Sequence, residues 1–214
     1  MHIQIAARIL GILLMMFSLT MLPPAFVSWL FEDGVSIIFV DTFGMTLGAG
    51  IVLWVLFRNN TQEMRTKDGF LITFMFYMAL GTFGAIPLVQ SSGIDLSWPD
   101  ALFESFSGLT TTGATVITGI DILPESVLFY RQQLQWLGGM GIIVLAVAIL
   151  PMLGIGGMQL YRTETPGPVK DSKLTPRIKQ TALALWSIYC GLTLVCALAY
   201  WVAGMSLFDA ICHS

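Results

Sequence analysis

The chain has 214 residues, 56% of them hydrophobic and only 11% charged, with a mean hydropathy of +0.80. A soluble domain carries roughly 25% charged residues, so a soluble enzyme and a nucleic-acid-binding module are excluded and an all-α polytopic membrane protein is expected. The net charge of −3 says little about partners, because in a bilayer the distribution of charge between the two faces matters more than its sum.

The first apolar run extends from about Ile3 to Leu30. It lacks a charged n-region and is too long for the core of a signal peptide, so a retained transmembrane helix is predicted, kinked or thinned at its outer end by Pro23 and Pro24. Glu32, Asp33 and Gly34 form a tight turn, and a second span returns over about Val35 to Phe57. In it, Gly44 and Gly48 are four residues apart, a spacing that serves either internal helix packing or a dimer face. Asp41 lies within the outer part of this span and is either a functional carboxylate or an interfacial, solvated one.

A polar loop with Arg58, Arg65 and Lys67 follows. Its Asn59-Asn60-Thr61 matches a glycosylation acceptor, but the positive charge places the loop on the cytoplasmic side and sets that reading aside. A third span covers about Gly69 to Val89 and a fourth about Ser126 to Leu150, the latter with glycines at 138, 139 and 141 suited to close packing. From Pro151 to Lys179 the composition turns basic and proline-containing, which predicts a cytoplasmic connector. Gly154, Gly156 and Gly157 follow a membrane helix rather than a strand, against a phosphate loop. The fifth span is about Thr181 to Ala203, and the three cysteines, Cys190, Cys196 and Cys212, show no CxxC or metal spacing.

Between the third and fourth spans lies SWPDALFESFSGLTTTGATVITG, residues 97–119, too short and polar to cross a membrane. Residues 99–109 read as a half-helix, since Pro99 suits the first helical position and Asp100 complements the positive end of the dipole. Eleven helical residues rise about 16 Å, half of a ~30 Å hydrocarbon core. Thr110, Thr111 and Thr112 are β-branched and Gly113 is conformationally free, so the helix is expected to stop there and the chain to return extended. Extended backbone at that depth is tolerated only where it is buried in protein or lines a water-filled path, and carbonyls at a helix C-terminus favour a dehydrated cation. Glu104 of the half-helix and Arg131 of the fourth span form either a structural ion pair or a buried carboxylate beside a snorkelled arginine.

With the N-terminus inside, nine of the ten Lys and Arg residues lie on the cytoplasmic side and only Arg131 outside, as the positive-inside rule requires. Eight carboxylates, at 32, 33, 95, 100, 104, 121, 125 and 209, then fall on the outer side or in the outer half, where they would raise the local cation concentration.

Asp100-Ala101-Leu102-Phe103-Glu104-Ser105 aligns with Asp209-Ala210-Ile211-Cys212-His213-Ser214 at a spacing of 109 residues, each after a span of similar length. The implied unit is helix, half-helix, filter loop and helix. The chain therefore divides into a two-span N-terminal part (1–68), a first pore repeat (69–151), a connector (152–180) and the start of a second repeat (181–214). One loop cannot surround an ion, so further copies are expected, from a tetramer or from successive repeats in one chain, and the internal match favours the second; four repeats after two spans would imply roughly 500 residues in the whole protein.

TTTGAT at Thr110 to Thr115, preceded by ALFESFSGL, resembles the pore loop of the Trk/Ktr/HKT superfamily of potassium transport proteins, and the likeness extends over nearly the whole chain. It is similar in particular to the Trk-type membrane subunit of bacterial inner membranes. That resemblance implies two N-terminal spans, four pore repeats in one polypeptide and a homodimer. It makes Thr110, Thr111, Thr112, Gly113 and Ala114 the first repeat's share of a potassium filter, with the Thr111 and Thr112 carbonyls touching K+. It further implies glycine at 113 for potassium selectivity, K+ as transported ion with no organic cofactor, and a cytosolic nucleotide-binding (NAD/ATP-type) ring that gates transport from the inner face. Coupling to Na+ or H+ stays open as a second mechanism. A membrane enzyme or electron-transfer subunit is the remote alternative, since no span carries paired histidines, cysteines or carboxylates.

Overall fold

The computed structural model describes residues 3–59, 66–91, 95–152 and 174–214, and among them every regular element is helical. The basic side chains at 65 and 67, the connector over 153–173 and Gly154, Gly156 and Gly157 lie outside the residues described in atomic detail. Among the described residues, four helical stretches are long and apolar enough to cross a membrane: Ile3–Phe31, Ser36–Phe57, Leu71–Gln90 and Leu183–Val202. The chain divides into two compact units, Met1–Trp136 and Leu137–Ser214.

In the first unit, the opening run is a broken helix. Helix α1 (Ile3–Ser18) passes through a 3-10 turn at Leu19–Met21 into α2 (Leu22–Phe31), whose first turn holds Pro23 and Pro24. Each proline lacks the N–H that would bond the carbonyl four residues earlier, freeing the oxygens of Leu19 and Thr20. Both find other donors: the Leu22 N–H turns back to Leu19, and Gln133 Nε2 donates to Thr20 O at 2.6 Å. A polar side chain from the fourth span thus repairs the break that the prolines make in the first.

The turn after α2 uses left-handed backbone at Glu32 (φ 53°) and Gly34 (φ 80°). Asp33 Oδ1 accepts from Ser28 Oγ and from the Val35 N–H (3.3 Å), and Oδ2 accepts from the Ser126 N–H (3.0 Å) in the first turn of a distant helix. Burial pushes the Asp33 carboxyl up, but the hydrogen bonds from Ser126, Ser28 and Val35 outweigh it and hold the group below the ordinary carboxylate value. The clamp is therefore fully present above the ordinary carboxylate pKa and is lost as pH falls through the lowered value.

Helix α3 (Ser36–Phe57) packs along α1. The close approach is made by Gly11 and Gly50: a Cβ on Gly11 would lie 2.7 Å from Gly50 O, and one on Gly50 would lie 2.8 Å from Gly11 O. Gly44 and Gly48, the pair singled out by spacing, meet nothing within 4 Å among the described residues. Asp41 is exposed, beside a buried face of Phe39, Thr42 and Thr46.

Helix α4 (Thr66–Gln90) leads into the half-helix α5 (Trp98–Leu109), and α6 (Glu125–Met152) follows after a short 3-10 turn at Ile120–Ile122. The 28 residues of α6 rise about 42 Å, enough to span a bilayer with tilt.

In the second unit, α7 (Leu174–Val202) turns at Gly204 (φ 104°) into the short α8 (Leu207–His213). Ser206 caps α8, accepting from the Asp209 N–H at 3.1 Å and donating to Asp209 Oδ2 at 2.7 Å. Ser97 caps α5 in the same way on Asp100, at 3.4 and 2.5 Å, and Ala101 and Ala210 are both fully buried. The two helices, whose aligned residues lie 109 positions apart, thus start with the same kind of cap.

Placing a methyl group at Gly11 or Gly50 by substitution with alanine should destabilise the full-length protein by about 1–3 kcal/mol through overpacking against backbone. Gly44→Ala and Gly48→Ala should leave the thermal unfolding midpoint unchanged or raise it; an equal loss at those two positions means that a second copy or a further part of the protein packs there.

Candidate functional site

Helix α5 is wedged between α4 and α6 by small residues. A Cβ on Gly81 would lie 2.3 Å from the Phe106 ring and one on Gly84 would lie 2.6 Å from Ser105 Oγ, while one on Gly108 would lie 3.0 Å from Leu134 Cβ. Tyr130 of α6, fully buried, donates to Gly84 O at 2.8 Å and stacks edge-on with Phe39 at 5.3 Å. The half-helix is therefore set in depth by contacts that admit no side chain on α4, and it carries Ala101, Glu104, Ser105, Ser107, Gly108 and Leu109 on its buried face.

Its C-terminal end closes in a Schellman motif. The Thr112 N–H reaches Ser107 O and the Thr111 N–H reaches Gly108 O, both at 2.9 Å. The left-handed position of this motif is normally glycine, yet here Thr111 occupies it at φ 57°. A β-branched residue in that region costs on the order of 1–2 kcal/mol and persists only where neighbours over-determine it. Gly113, at φ 70°, makes the second left-handed turn, with Gln135 Nε2 3.5 Å from where its Cβ would be.

Accounting for carbonyls separates the loop into two parts. Phe106 O accepts from the Thr110 N–H (2.9 Å) and Thr110 Oγ1 (2.8 Å), and Ser107 O accepts from the N–H groups of Thr112 (2.9 Å) and Gly113 (3.3 Å). Ala114 O accepts from Ser107 Oγ at 2.6 Å. Among the described residues no donor reaches the carbonyl oxygens of Thr110, Thr111, Thr112 or Gly113, four exposed residues in succession. The Thr110 and Thr112 hydroxyls meet each other at 2.9 Å.

Beyond Ala114 the chain returns along α5, held by Glu104. Its Oε1 accepts from Thr115 Oγ1 (2.6 Å), the Val116 N–H (2.6 Å) and the Ile117 N–H (3.4 Å). Its Oε2 faces Arg131, with Nη2 at 3.1 Å and Nε at 3.3 Å. Glu104 is buried, with 2% of its side chain exposed, and Arg131 is largely covered, with 11% exposed.

The structure thus brings Glu104 and Arg131 into contact and leaves Thr110, Thr111, Thr112 and Gly113 as an open run of oxygens. Ala114 is set apart, because its carbonyl is turned back onto Ser107. Sequence reasoning missed Ser107, Thr115 and the glycines of α4. Ser107 lies one turn after Glu104, a spacing that puts both on one helix face and was legible in ALFESFSGL. No group of three His, Cys, Asp or Glu is placed to hold a metal ion among the described residues.

Arg131→Leu should cost about 3–5 kcal/mol in the full-length protein, because it leaves a buried carboxylate without its counter-charge. Arg131→Lys should recover only part of that loss, since one ammonium cannot reproduce the two-nitrogen contact. Thermal unfolding in detergent measures both, and a loss below about 1 kcal/mol for the leucine variant would refute a structural ion pair.

The TrkH family, described as cation transport protein, matches residues 36–214. The Trk system potassium uptake protein TrkH of Halomonas elongata is 63% identical over 214 residues, and its Escherichia coli (strain K12) counterpart is 55% identical. In each case all of this chain and 44% of the relative are covered, so the chain spans less than half the length of these relatives. Among solved structures, the crystal structure of the potassium transporter TrkH from Vibrio parahaemolyticus superposes with a TM-score of 0.85 at 51% identity, covering 100% of this chain and 42% of that one. Sequence, half-helix and non-helical return loop agree: this chain belongs to the TrkH family of cation transport proteins.

Proposed function

We propose that this chain is part of a potassium uptake protein of the bacterial inner membrane, in which the carbonyl oxygens of Thr110, Thr111, Thr112 and Gly113 form one quarter of a selectivity filter. The observation that carries this reading is the run of four successive carbonyls, at the C-terminal end of a half-helix, that no donor reaches among the described residues. Buried or membrane-embedded carbonyls are ordinarily satisfied, and four left open together are suited to replace the water shell of a monovalent cation. The negative end of the α5 dipole adds to their field. The names of the relatives, potassium uptake proteins, support K+ as that cation.

Three further loops of the same kind complete the ring, and the matching cap of α8, 109 residues after that of α5, supports supply of those loops by one polypeptide. The N-terminus lies in the cytoplasm by the balance of basic residues, which puts Arg58 and the connector on the face open to a nucleotide-binding regulatory ring. The assembly is a homodimer, as the family resemblance implies. Transport follows the potassium gradient through the filter, and charge moved per ion distinguishes this from coupling to Na+ or H+.

Expression of the full-length protein in a host lacking potassium uptake should restore growth at low potassium and support rubidium uptake; failure of both sinks the proposal. Gly113→Ser places a side chain at φ 70°, straining the loop by about 1–2 kcal/mol. It should raise sodium permeation relative to potassium several-fold in reconstituted vesicles, and an unchanged ratio would remove Gly113 from the selectivity residues.

A further inference from the structure

Two residues of α5 hold every residue of the return chain from 112 to 117. Ser107 binds three of them: its carbonyl accepts from the N–H groups of Thr112 and Gly113, and its hydroxyl donates to Ala114 O at 2.6 Å. Glu104 binds the next three, Thr115, Val116 and Ile117, through a single oxygen. They stand three positions apart on one helix face, and both are buried.

We propose that Ser107 and Glu104 are positioning residues that set the ion discrimination of the Thr110–Gly113 loop, an inference that rests on the reading of that loop as a filter. The smaller sodium ion is well coordinated only if the oxygens close in on it, and a strand tied to a helix at successive residues cannot close. Ser107 does this from beside the loop, since the hydroxyl that takes Ala114 O out of the coordinating set also fixes where Gly113 ends. Glu104 does it from behind, and Arg131 keeps the carboxylate aimed by occupying Oε2, leaving Oε1 to the strand. Neither side chain needs to touch the ion. The free carbonyls are bounded by these ties: the Schellman turn at Thr110 and Thr111 on one side, and the Ser107 to Ala114 bond on the other.

The test is made on the full-length protein in vesicles, with rubidium uptake measured against competing potassium or sodium and normalised to folded protein. Ser107→Ala should preserve potassium transport while the potassium-to-sodium preference falls about tenfold, the factor that one charge-free hydrogen bond converts to. Glu104→Gln keeps an acceptor oxygen for Thr115 and Val116 and should lose less discrimination than Glu104→Leu, which keeps none. Should Ser107→Ala not fold, Ser107→Cys, with its weaker donor, replaces it and should show a partial fall. A folded Ser107 variant with the wild-type preference overturns the proposal, because a merely structural serine would alter protein yield and not ion ratio. A wild-type protein that carries no potassium at all would instead sink the filter reading itself.

Discussion

A main chain that leaves the helix within a bilayer must find partners for its N–H and C=O groups, and Glu104 is the residue on which that requirement is concentrated here. One carboxylate oxygen satisfies two N–H groups and a hydroxyl of the return strand, and the other holds Arg131. A buried carboxylate without such partners would be costly, and a buried arginine likewise, so the pair and the strand stabilise one another's presence. The result is selective satisfaction: the N–H groups of residues 110–113, 116 and 117 are bound to the helix, while no donor among the described residues reaches the carbonyls of residues 110–113.

The same logic of satisfying freed groups runs through the rest of the unit. Two prolines break the first span, and one of the two carbonyls they free is taken by Gln133 of α6. Asp33, in the turn that ends the first span, accepts from the Ser126 N–H in the first turn of α6. Tyr130 reaches Gly84 O in α4. Side chains at 130–133 of α6 thus engage the third span, the half-helix and the first span in turn, and the Ser126 N–H holds the turn between the first two spans. Packing adds to this through glycines whose missing side chains let backbones meet, at Gly11 with Gly50 and at Gly81, Gly84 and Gly108 around α5.

Thr111 shows where local preference was overruled. A threonine in left-handed conformation is disfavoured, and the Schellman hydrogen bonds with the ties at Ser107 hold it there. The same bonds, held at a cost in strain, resist relaxation of the loop into a longer helix, which would consume those oxygens.

By itself the sequence determined the class and the outline: long apolar runs require spans, Pro99 and Asp100 start a half-helix, and three β-branched residues and a glycine stop it. These are short-range properties, fixed by residue type and spacing. The expected ends of the first four spans and of the half-helix fell within three residues of the observed ones, with Trp98 rather than Pro99 as the first helical residue because the Ser97 side chain makes the cap, whereas the last long helix starts at Leu174, seven residues before the expected Thr181 and within the expected connector. Only the tertiary structure decided which polar groups meet. The partnership of Glu104 with Arg131 was one of two open readings, and its grip on the strand at Val116 and Ile117 was not legible, since it depends on where the chain returns. The Gly44 and Gly48 spacing drew the eye, yet Gly11 and Gly50 make the contact, because which face of a helix meets a neighbour is set by how distant segments cross. Sequence spacing specifies a face; only the folded chain selects what lies against it.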